Sequence, residues 1–318
     1  MADPDKAAIA GGRRLLVVAA LGGALALFLA VGGVGLYRYL DGFWLYRGFP
    51  APREPAFVHQ TGQVNTIHVK SAAVGGRDQR VLVYLPPGYD SSTRRYPVLY
   101  LLHGFPGNPD GFVRTVRVGV VEDTLLAEHR VEPMIIVMPF GSTGTFTDKA
   151  WANGTQPDEH WATFLWRDVV RAIDARYRTI PDGAGRALGG LSEGGYASLN
   201  IGLRHPREFR LLESWSGYEK ADDIKSIFGG KPTLLEANSP LLTVSSLAPA
   251  LRRDHDYIWF YSGKEDSLKP QNLRFAAKLH RLHVPSRFFL VPGGHNWSLW
   301  RNNAPAALIV ASERLAHG

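Results

Sequence analysis

The chain opens with one long apolar run and continues with much shorter ones. From Leu15 to Leu36 there is no charged residue and no Asn, Gln or Pro. At 1.5 Å per residue, the run is long enough to cross a bilayer core of about 30 Å, so it predicts a transmembrane helix. Arg13 and Arg14 stand directly before it, which favours a cytoplasmic N-terminus and an exported remainder.

A cleaved signal peptide is the alternative for this segment, because Ala24-Leu25-Ala26 has the A-x-A pattern of a cleavage site. That site falls inside the apolar run, and a cluster of aromatic residues follows the run as in an interfacial belt. We therefore favour an uncleaved, single-pass helix in the cell membrane. The aromatic residues are Tyr37, Tyr39, Phe43, Trp44 and Tyr46. The predicted order is a cytoplasmic N-terminus over 1–14, the membrane helix over 15–36, a juxtamembrane linker over 37–57 and one extracytoplasmic domain over 58–318.

Strand and helix patterns alternate in the rest of the chain. Residues 64–70 and 80–85 alternate apolar and polar side chains, which predicts a hairpin. Short apolar runs bounded by turns are typical of strands buried in a parallel sheet, and they occur at 98–102, 134–138, 257–261 and 288–291. Helical spacing is found over 120–129, 161–177, 196–203 and 272–283. The alternation predicts an α/β domain with a mostly parallel sheet flanked by helices.

Composition and charge exclude several classes of function. The 318 residues include 36 Lys and Arg against 29 Asp and Glu, a net charge of +7, but the positive residues are scattered without a basic arm. No nucleic-acid partner is expected. The absence of cysteine rules out a thiol nucleophile, a disulfide or a cysteine-bound zinc site. The eleven histidines lack H-E-x-x-H spacing, so no metal site is expected.

The strongest local motif is Gly190-Leu191-Ser192-Glu193-Gly194-Gly195, a G-x-S-x-G sequence where a predicted strand runs into a predicted helix. In that motif the serine sits on a strained turn, and the glycines leave room for neighbouring backbone. Ser192 is therefore the candidate nucleophile.

A serine hydroxyl needs a base, and a carboxylate must orient that base. His295 follows the strand over 288–291 on a glycine-rich loop, and the acid is expected after the strand before it. Asp266 and Glu265 both stand there, and we favour Asp266.

The negative oxygen of the reaction intermediate needs two backbone N–H donors. The residue after the nucleophile, Glu193, is expected to supply one. The loop His103-Gly104-Phe105-Pro106-Gly107 follows the strand over 98–102, and the Phe105 N–H is the second candidate. His103 is expected to be a structural neighbour of this loop.

The chain resembles the esterase D and antigen 85 branch of the α/β-hydrolases. The resemblance implies an α/β-hydrolase fold and a serine hydrolase that cleaves carboxylic esters through an acyl-serine intermediate, with no cofactor and no metal. The same resemblance makes an acyltransferase of antigen 85 (mycolyltransferase) type the first alternative. A non-catalytic binding protein on the same fold is the second, although the chain retains all three triad residues. The matching segments are Leu102-His103-Gly104, Trp151-Ala152-Asn153-Gly154, Asp174-Ala175-Arg176-Tyr177-Arg178, 190–195, His205-Pro206 with Phe209, Ser216-Gly217, and Gly294-His295-Asn296-Trp297 with Trp300.

Glu193 departs from this family, in which many members carry Met at that position. A carboxylate there would oppose the developing negative charge unless it is paired or turned away. We favour a side chain neutralised by an arginine. The other hypothesis is that Glu193 binds a cationic group of the substrate, such as the ammonium of an aminoacyl ester.

The segment over 218–251 mixes Gly, Pro and short apolar stretches. It is interpreted as a partly helical insertion over the active site, where it would help to select the substrate, although an ordinary crossover connection would look similar. The expected partner is an ester, either a small molecule or a lipid. The sequence does not predict the natural ester or the oligomeric state.

Overall fold

The computed structural model describes residues 4–40, 53–254 and 256–317, and it divides the chain into two units, Met1–Phe49 and Pro50–Gly318. The first unit contains helix α1, Pro4–Leu40. Its stretch Leu16–Leu36 is long and apolar enough to cross a membrane, and an N-terminal signal sequence would have the same properties. The side chains of the predicted aromatic belt and the linker residues 41–52 lie outside what the structure describes.

The second unit is built on a sheet of eight strands in the order β1-β2-β4-β3-β5-β6-β7-β8. Strand β2 pairs antiparallel with β1 and with β4, and all other neighbours are parallel. The predicted hairpin and the mostly parallel sheet are confirmed. The strands are β1 (Gln63–Ser71), β2 (Arg77–Leu85), β3 (Val98–Leu102), β4 (Ile135–Pro139), β5 (Arg186–Leu191), β6 (Leu211–Trp215), β7 (Tyr257–Gly263) and β8 (Ser286–Val291).

Helices cover both faces of the sheet, and each face has its own apolar cluster. Alternate residues of β3 show the division, since Val98 and Tyr100 join one cluster while Leu99 and Leu101 join the other. This follows from the two-residue repeat of a strand. The helices are α2 (Val118–Ala127), α3 (Trp161–Thr163), α4 (Val170–Arg176), α5 (Glu193–Gly202), α6 (Pro232–Ala237), α7 (Pro240–Arg253), α8 (Lys269–Arg281) and α9 (Trp297–Arg314), with a π-helical segment, Phe164–Val169, joining α3 to α4.

Two elements escaped the sequence patterns. The predictions set no bounds for β6, which carries Glu213 and Ser214 in its centre although the whole strand is buried. They also omitted α9, which contains Pro305 and a mixed polar sequence. The segment over 218–251 does contain helices, α6 and α7, as predicted.

The topology determines where a site can form. The strands β3, β5, β6, β7 and β8 run parallel, so their carboxyl ends meet at one edge of the sheet. Phe105, Ser192, Asp266 and His295 follow β3, β5, β7 and β8, and ligands of open α/β sheets bind at this edge.

Candidate active site

Ser192 lies on the sharp turn between β5 and α5. Its backbone has φ 54° and ψ −119°, a conformation that costs a non-glycine residue about 1–3 kcal/mol. The surrounding backbone holds it there: the Ser192 N–H donates to the Trp215 carbonyl at 3.1 Å, and its carbonyl accepts the Tyr196 N–H at 3.1 Å. The turn raises the hydroxyl above the end of the sheet.

Two glycines of the motif are required by close backbone contacts. A Cβ atom on Gly194 would lie 1.9 Å from the carbonyl oxygen of Leu102, and one on Gly190 would lie 2.6 Å from the same oxygen. Both distances are far inside van der Waals contact. Strand β3 therefore packs directly under the nucleophile turn.

His295 sits on the loop between β8 and α9, and this loop is fixed on both sides. Before the histidine, the Gly293 N–H donates to Glu265 Oε2 at 2.7 Å. After it, the Asn296 side chain caps α9 by accepting the N–H groups of Ser298 and Leu299 at 3.0 and 3.3 Å. The imidazole ring also packs edge-on against Trp300, with ring centroids 5.1 Å apart.

Ser192, His295 and Asp266 form one hydrogen-bonded chain. The distance from Ser192 Oγ to His295 Nε2 is 2.7 Å, and that from His295 Nδ1 to Asp266 Oδ2 is 2.8 Å. With Asp266 ionised, Nδ1 must carry the ring proton, which leaves Nε2 free to accept from the serine hydroxyl. The structure thus brings the three predicted residues together and gives Glu265 a different contact, in the histidine loop.

Hydrogen bonding keeps Asp266 ionised although only 4% of its surface is exposed. Burial opposes its ionisation, but hydrogen bonds from His295, Ser216 and the Leu268 N–H outweigh this effect, and the pKa of Asp266 lies below its ordinary value. The carboxylate can therefore stabilise a positive imidazolium on His295.

The predicted oxyanion loop packs against the nucleophile. A Cβ atom on Gly104 would lie 3.0 Å from the Cβ atom of Ser192, which brings the neighbouring Phe105 into the same region. Glu193 is the first residue of α5, so its N–H has no acceptor within the helix. The two predicted donors thus lie close to Ser192 in the chain or in space, and their role as an oxyanion hole stays a prediction.

His103 is a structural group beneath this loop. Its Nδ1 lies 2.9 Å from the Gly104 carbonyl, and its Nε2 accepts the Gly141 N–H at 3.2 Å. Burial lowers the pKa of His103 to about 4, against a weaker opposing effect of the Gly104 hydrogen bond. A ring that is neutral and bonded at both nitrogens has no proton to exchange with a substrate.

Glu193 turns its side chain into the protein, where it meets a second carboxyl group. It is 6% exposed and hydrogen-bonds to Asp148, on the loop after β4. Burial, together with the charge and hydrogen bond of Asp148, raises the pKa of Glu193 well above its ordinary value. The group that faces Glu193 is thus an acid, where the sequence analysis favoured an arginine.

Two polar residues at the site were not assigned roles by the sequence motifs. Asp148 pairs with Glu193 from 45 positions earlier in the chain, and Ser216 donates its hydroxyl to Asp266 Oδ2 at 2.5 Å. Nothing in the sequence near Asp148 indicates a place in the site. Ser216 belongs to a segment that matches the resembled family, but its contact with the acid depends on the parallel pairing of β6 and β7.

Comparison with known proteins identifies the family and the fold of this chain. The Esterase family matches residues 71–311, well over half of the chain. A solved structure of a ferulic acid esterase has a TM-score of 0.71 and 26% identity, and the alignment covers 81% of this chain and 100% of that one. The domain therefore has an α/β-hydrolase-like fold.

Two characterised relatives align with this chain over only part of their own length. An endo-1,4-beta-xylanase/feruloyl esterase of Xylanibacter ruminicola is 36% identical over 146 residues, which is 45% of this chain and 20% of that protein. A diacylglycerol acyltransferase/mycolyltransferase Ag85A of Mycobacterium leprae is 28% identical over 222 residues, which is 68% of this chain and 57% of that protein. The chain thus spans less than two thirds of either relative. With the extended family match, the nucleophile turn and the fold in agreement, the chain belongs to the Esterase family.

Proposed function

We propose that this protein is a serine esterase that hydrolyses carboxylic esters through an acyl-serine intermediate. The observation that carries the proposal is the continuous hydrogen-bonded chain from Ser192 Oγ through His295 to Asp266. A binding protein on the same fold would have no need of this arrangement.

In the first half of the reaction, Ser192 Oγ attacks the ester carbonyl and its proton passes to His295 Nε2. Asp266 stabilises the imidazolium that results, and the N–H groups of Phe105 and Glu193 bind the negative oxygen of the tetrahedral intermediate. When the ester C–O bond breaks, His295 gives its proton to the leaving alcohol. The acyl group then remains on Ser192.

In the second half, water gives a proton to His295 and attacks the acyl carbonyl. The bond between the acyl carbon and Ser192 Oγ then breaks, and His295 returns the proton to Ser192 Oγ as the acid leaves. An alcohol acceptor in place of water would make the protein an acyltransferase. The relative whose name includes mycolyltransferase supports that alternative. Both reactions use the same acyl-enzyme, so they differ in what occupies the acceptor position.

We infer that α1 holds the enzyme in the cell membrane as a single-pass helix, with the catalytic domain outside the cytoplasm. The apolar stretch Leu16–Leu36 and the preceding Arg13-Arg14 support this placement. We expect a reporter enzyme that works only outside the cytoplasm to be active when it is fused after residue 60, and a reporter that works only in the cytoplasm to be inactive there. If only the cytoplasmic reporter is active, the catalytic domain lies in the cytoplasm and the proposed orientation is wrong.

Lipid esters and aminoacyl esters are the finer substrate proposals. The membrane helix favours a lipid ester. The carboxyl pair of Glu193 and Asp148 favours a substrate with an ammonium group; Glu193 is buried, so Asp148, which is partly exposed, is the member able to meet it. The names of two relatives add feruloyl esters to the compounds that merit testing.

The proposal is tested with the full-length protein in detergent on esters of short, medium and long acyl chains, a feruloyl ester and an aminoacyl ester. Ser192→Ala is the inactive variant. Ser91→Ala is the matched control, because among the described residues its exposed hydroxyl bonds only to the Gly88 carbonyl. We expect wild type and Ser91→Ala to release acid at equal rates, and Ser192→Ala to lose at least about 10³-fold in kcat.

Adding alcohol acceptors to the same assay separates hydrolysis from transfer. Release of free acid that is unaffected by acceptors supports the esterase, and conversion of acid into a new ester supports the acyltransferase. If wild type releases no more product than Ser192→Ala with every ester and acceptor, the non-catalytic binding protein becomes the favoured alternative.

A further inference from the structure

The acid Asp266 has a second hydrogen-bond donor on the same oxygen that holds His295. Its Oδ2 accepts from His295 Nδ1 at 2.8 Å and from Ser216 Oγ at 2.5 Å, while Oδ1 accepts the Leu268 N–H at 2.8 Å. The three donors fix both the position and the rotation of the carboxylate. Of these donors, Ser216 is the one that supplies a side-chain hydroxyl.

The backbone of Ser216 is held in an unfavourable conformation that aims this hydroxyl. The residue follows the end of β6 with φ 55°, which a non-glycine residue adopts only when its surroundings enforce it. Its N–H donates to the Tyr261 carbonyl at 2.9 Å and so ties it to β7. The side chain is fully buried. No solvent can therefore replace the hydrogen bond that it makes to Asp266.

Among the described residues, the hydroxyl has one other hydrogen-bond contact, with the Ser262 Oγ of β7 at 3.5 Å. That contact is at the limit of a hydrogen bond, whereas the contact to Asp266 is short and directed at a charge. The geometry assigns the Ser216 proton to Asp266. Ser262 is equally buried, lies beside the same cluster and is not bonded to the acid, which makes it a natural control.

A further ionisable group, besides the adjacent Glu265, interacts electrostatically with Asp266. Glu219, on the loop after β6, is fully buried and interacts electrostatically with Asp266 and with the Arg274 guanidinium of α8. Burial raises the pKa of Glu219 well above its ordinary value, which favours its uncharged form. His295 and Ser216 are then the polar side chains that govern the acid.

We propose that Ser216 is a positioning residue of the catalytic triad, whose hydroxyl holds the Asp266 carboxylate in the orientation that aligns His295 and restrains the basicity of that carboxylate. This inference rests on the proposed function for its kinetic consequence. Its structural consequence, a change in the proton affinity of the His295 ring, is measurable without a substrate.

The expected effects of removing the hydroxyl have a definite sign. Without Ser216 as donor, the pKa of Asp266 rises and its negative charge attracts the His295 proton more strongly. The ring of His295 should then titrate at higher pH, and the acid limb of the kcat/KM profile should move the same way. Because the carboxylate is also less well fixed, kcat should fall about tenfold while KM changes less than about twofold.

The experiment compares Ser216→Ala with Ser262→Ala in the full-length protein. Histidine ring titrations by NMR in ¹⁵N-histidine-labelled protein report the proton affinity, and steady-state kinetics against pH report catalysis. Ser216→Cys, which keeps the size but donates weakly, should give the same changes at smaller amplitude. Ser216→Gly removes the hydroxyl and also relieves the backbone strain. If kcat falls in this variant as well, the loss is due to the missing hydroxyl and not to strain.

The proposal would be overturned if the His295 ring of Ser216→Ala titrated as in wild type. It would also be overturned if Ser262→Ala shifted that titration as far as Ser216→Ala does. A loss of kcat in Ser216→Ala without any movement of either pH profile would overturn it too, since a general packing defect would do that. If the His295 titration shifts as expected but wild type cleaves no ester, the proposed esterase function fails while the role of Ser216 in holding Asp266 stands.

Discussion

The carboxyl groups of Glu193 and Asp148 hydrogen-bond to each other one residue from the nucleophile. Ionising both acids would place like charges side by side, which disfavours the ionised form of the buried Glu193. Burial, together with the charge and hydrogen bond of Asp148, raises the pKa of Glu193 well above its ordinary value, which favours its protonated form. A neutral Glu193 does not oppose the negative charge that its own N–H helps to bind.

Glu193→Gln should remove an alkaline loss of activity. In wild type, kcat should fall as the pH rises through the raised pKa of Glu193, because the Glu193 carboxylate then places a negative charge beside the negative oxygen of the intermediate. Glutamine cannot ionise, so the variant should retain kcat at alkaline pH and stay within about threefold of wild type at neutral pH. The pH profile of kcat is the measurement. Glu213→Gln, a buried acid outside the site, is the control, and an unchanged alkaline limb in Glu193→Gln contradicts the explanation.

Asp148→Asn tests the aminoacyl ester hypothesis. If the partly exposed Asp148 binds an ammonium group, the variant should lose about tenfold in kcat/KM on an aminoacyl ester, because the ion pair is lost. It should lose much less on the uncharged ester of the same shape. Equal losses on the two esters would remove aminoacyl substrates from consideration.

Asp266→Asn and Glu265→Gln separate the two neighbouring acids. Asparagine cannot hold the required tautomer of His295 or balance its positive charge, so kcat should fall about 10³–10⁴-fold. In the described contacts the Glu265 carboxylate bonds only to the Gly293 N–H, and its replacement should lower kcat by less than about tenfold. Steady-state kinetics of both variants decide the matter; a larger effect at Glu265 would reassign the acid.

Gly194→Ala should destabilise the domain as well as inactivate it. The new methyl group would lie 1.9 Å from the Leu102 carbonyl oxygen, so β3 or the nucleophile turn must move, at about 2 kcal/mol or more. Gly144→Ala is the control, because its methyl group would lie 3.3 Å from a Thr147 hydroxyl at a surface loop. Calorimetry should show a lower Tm for Gly194→Ala alone.

Glu213→Gln should stabilise the protein at mildly alkaline pH. Burial raises the pKa of Glu213 to about 8, partly offset by the hydrogen bond from Trp215. Between its ordinary value of 4.5 and about 8 the folded state binds a proton that the unfolded state releases, so the stability that this group contributes falls as the pH rises. Glutamine lacks this dependence while keeping an acceptor for Trp215. The Tm of the variant should exceed that of wild type by about 2–4 °C near pH 8, and the difference should shrink towards pH 5; a constant difference would exclude the titration as its cause.

Local sequence was sufficient to predict those elements whose structure is determined by residues close together in the chain. Strand β3 has the predicted bounds, 98–102, because an uninterrupted apolar run between turns has few other solutions. The turn at Ser192 likewise follows from its own glycines. His295 and Asp266 could be proposed from the order of elements alone, since parallel strands place their following loops at one edge.

Contacts across the fold were beyond such patterns. Glu193 meets Asp148 rather than an arginine because of the path that the loop after β4 takes over α5. Strand β6 tolerates Glu213 in its centre because Trp215 donates to that side chain and burial keeps it protonated, which a hydropathy pattern does not record. Ser216 reaches Asp266 only because β6 and β7 are neighbours in the sheet.

The histidine loop, tied to Glu265 on one side and closed by the Asn296 cap on the other, has a kinetic consequence. The base stands in hydrogen-bond contact with Ser192 before any ester arrives, so His295 needs no ordering step when the Michaelis complex forms. Rapid mixing with a chromogenic ester should therefore give a burst or a straight line from the first milliseconds, with no induction period.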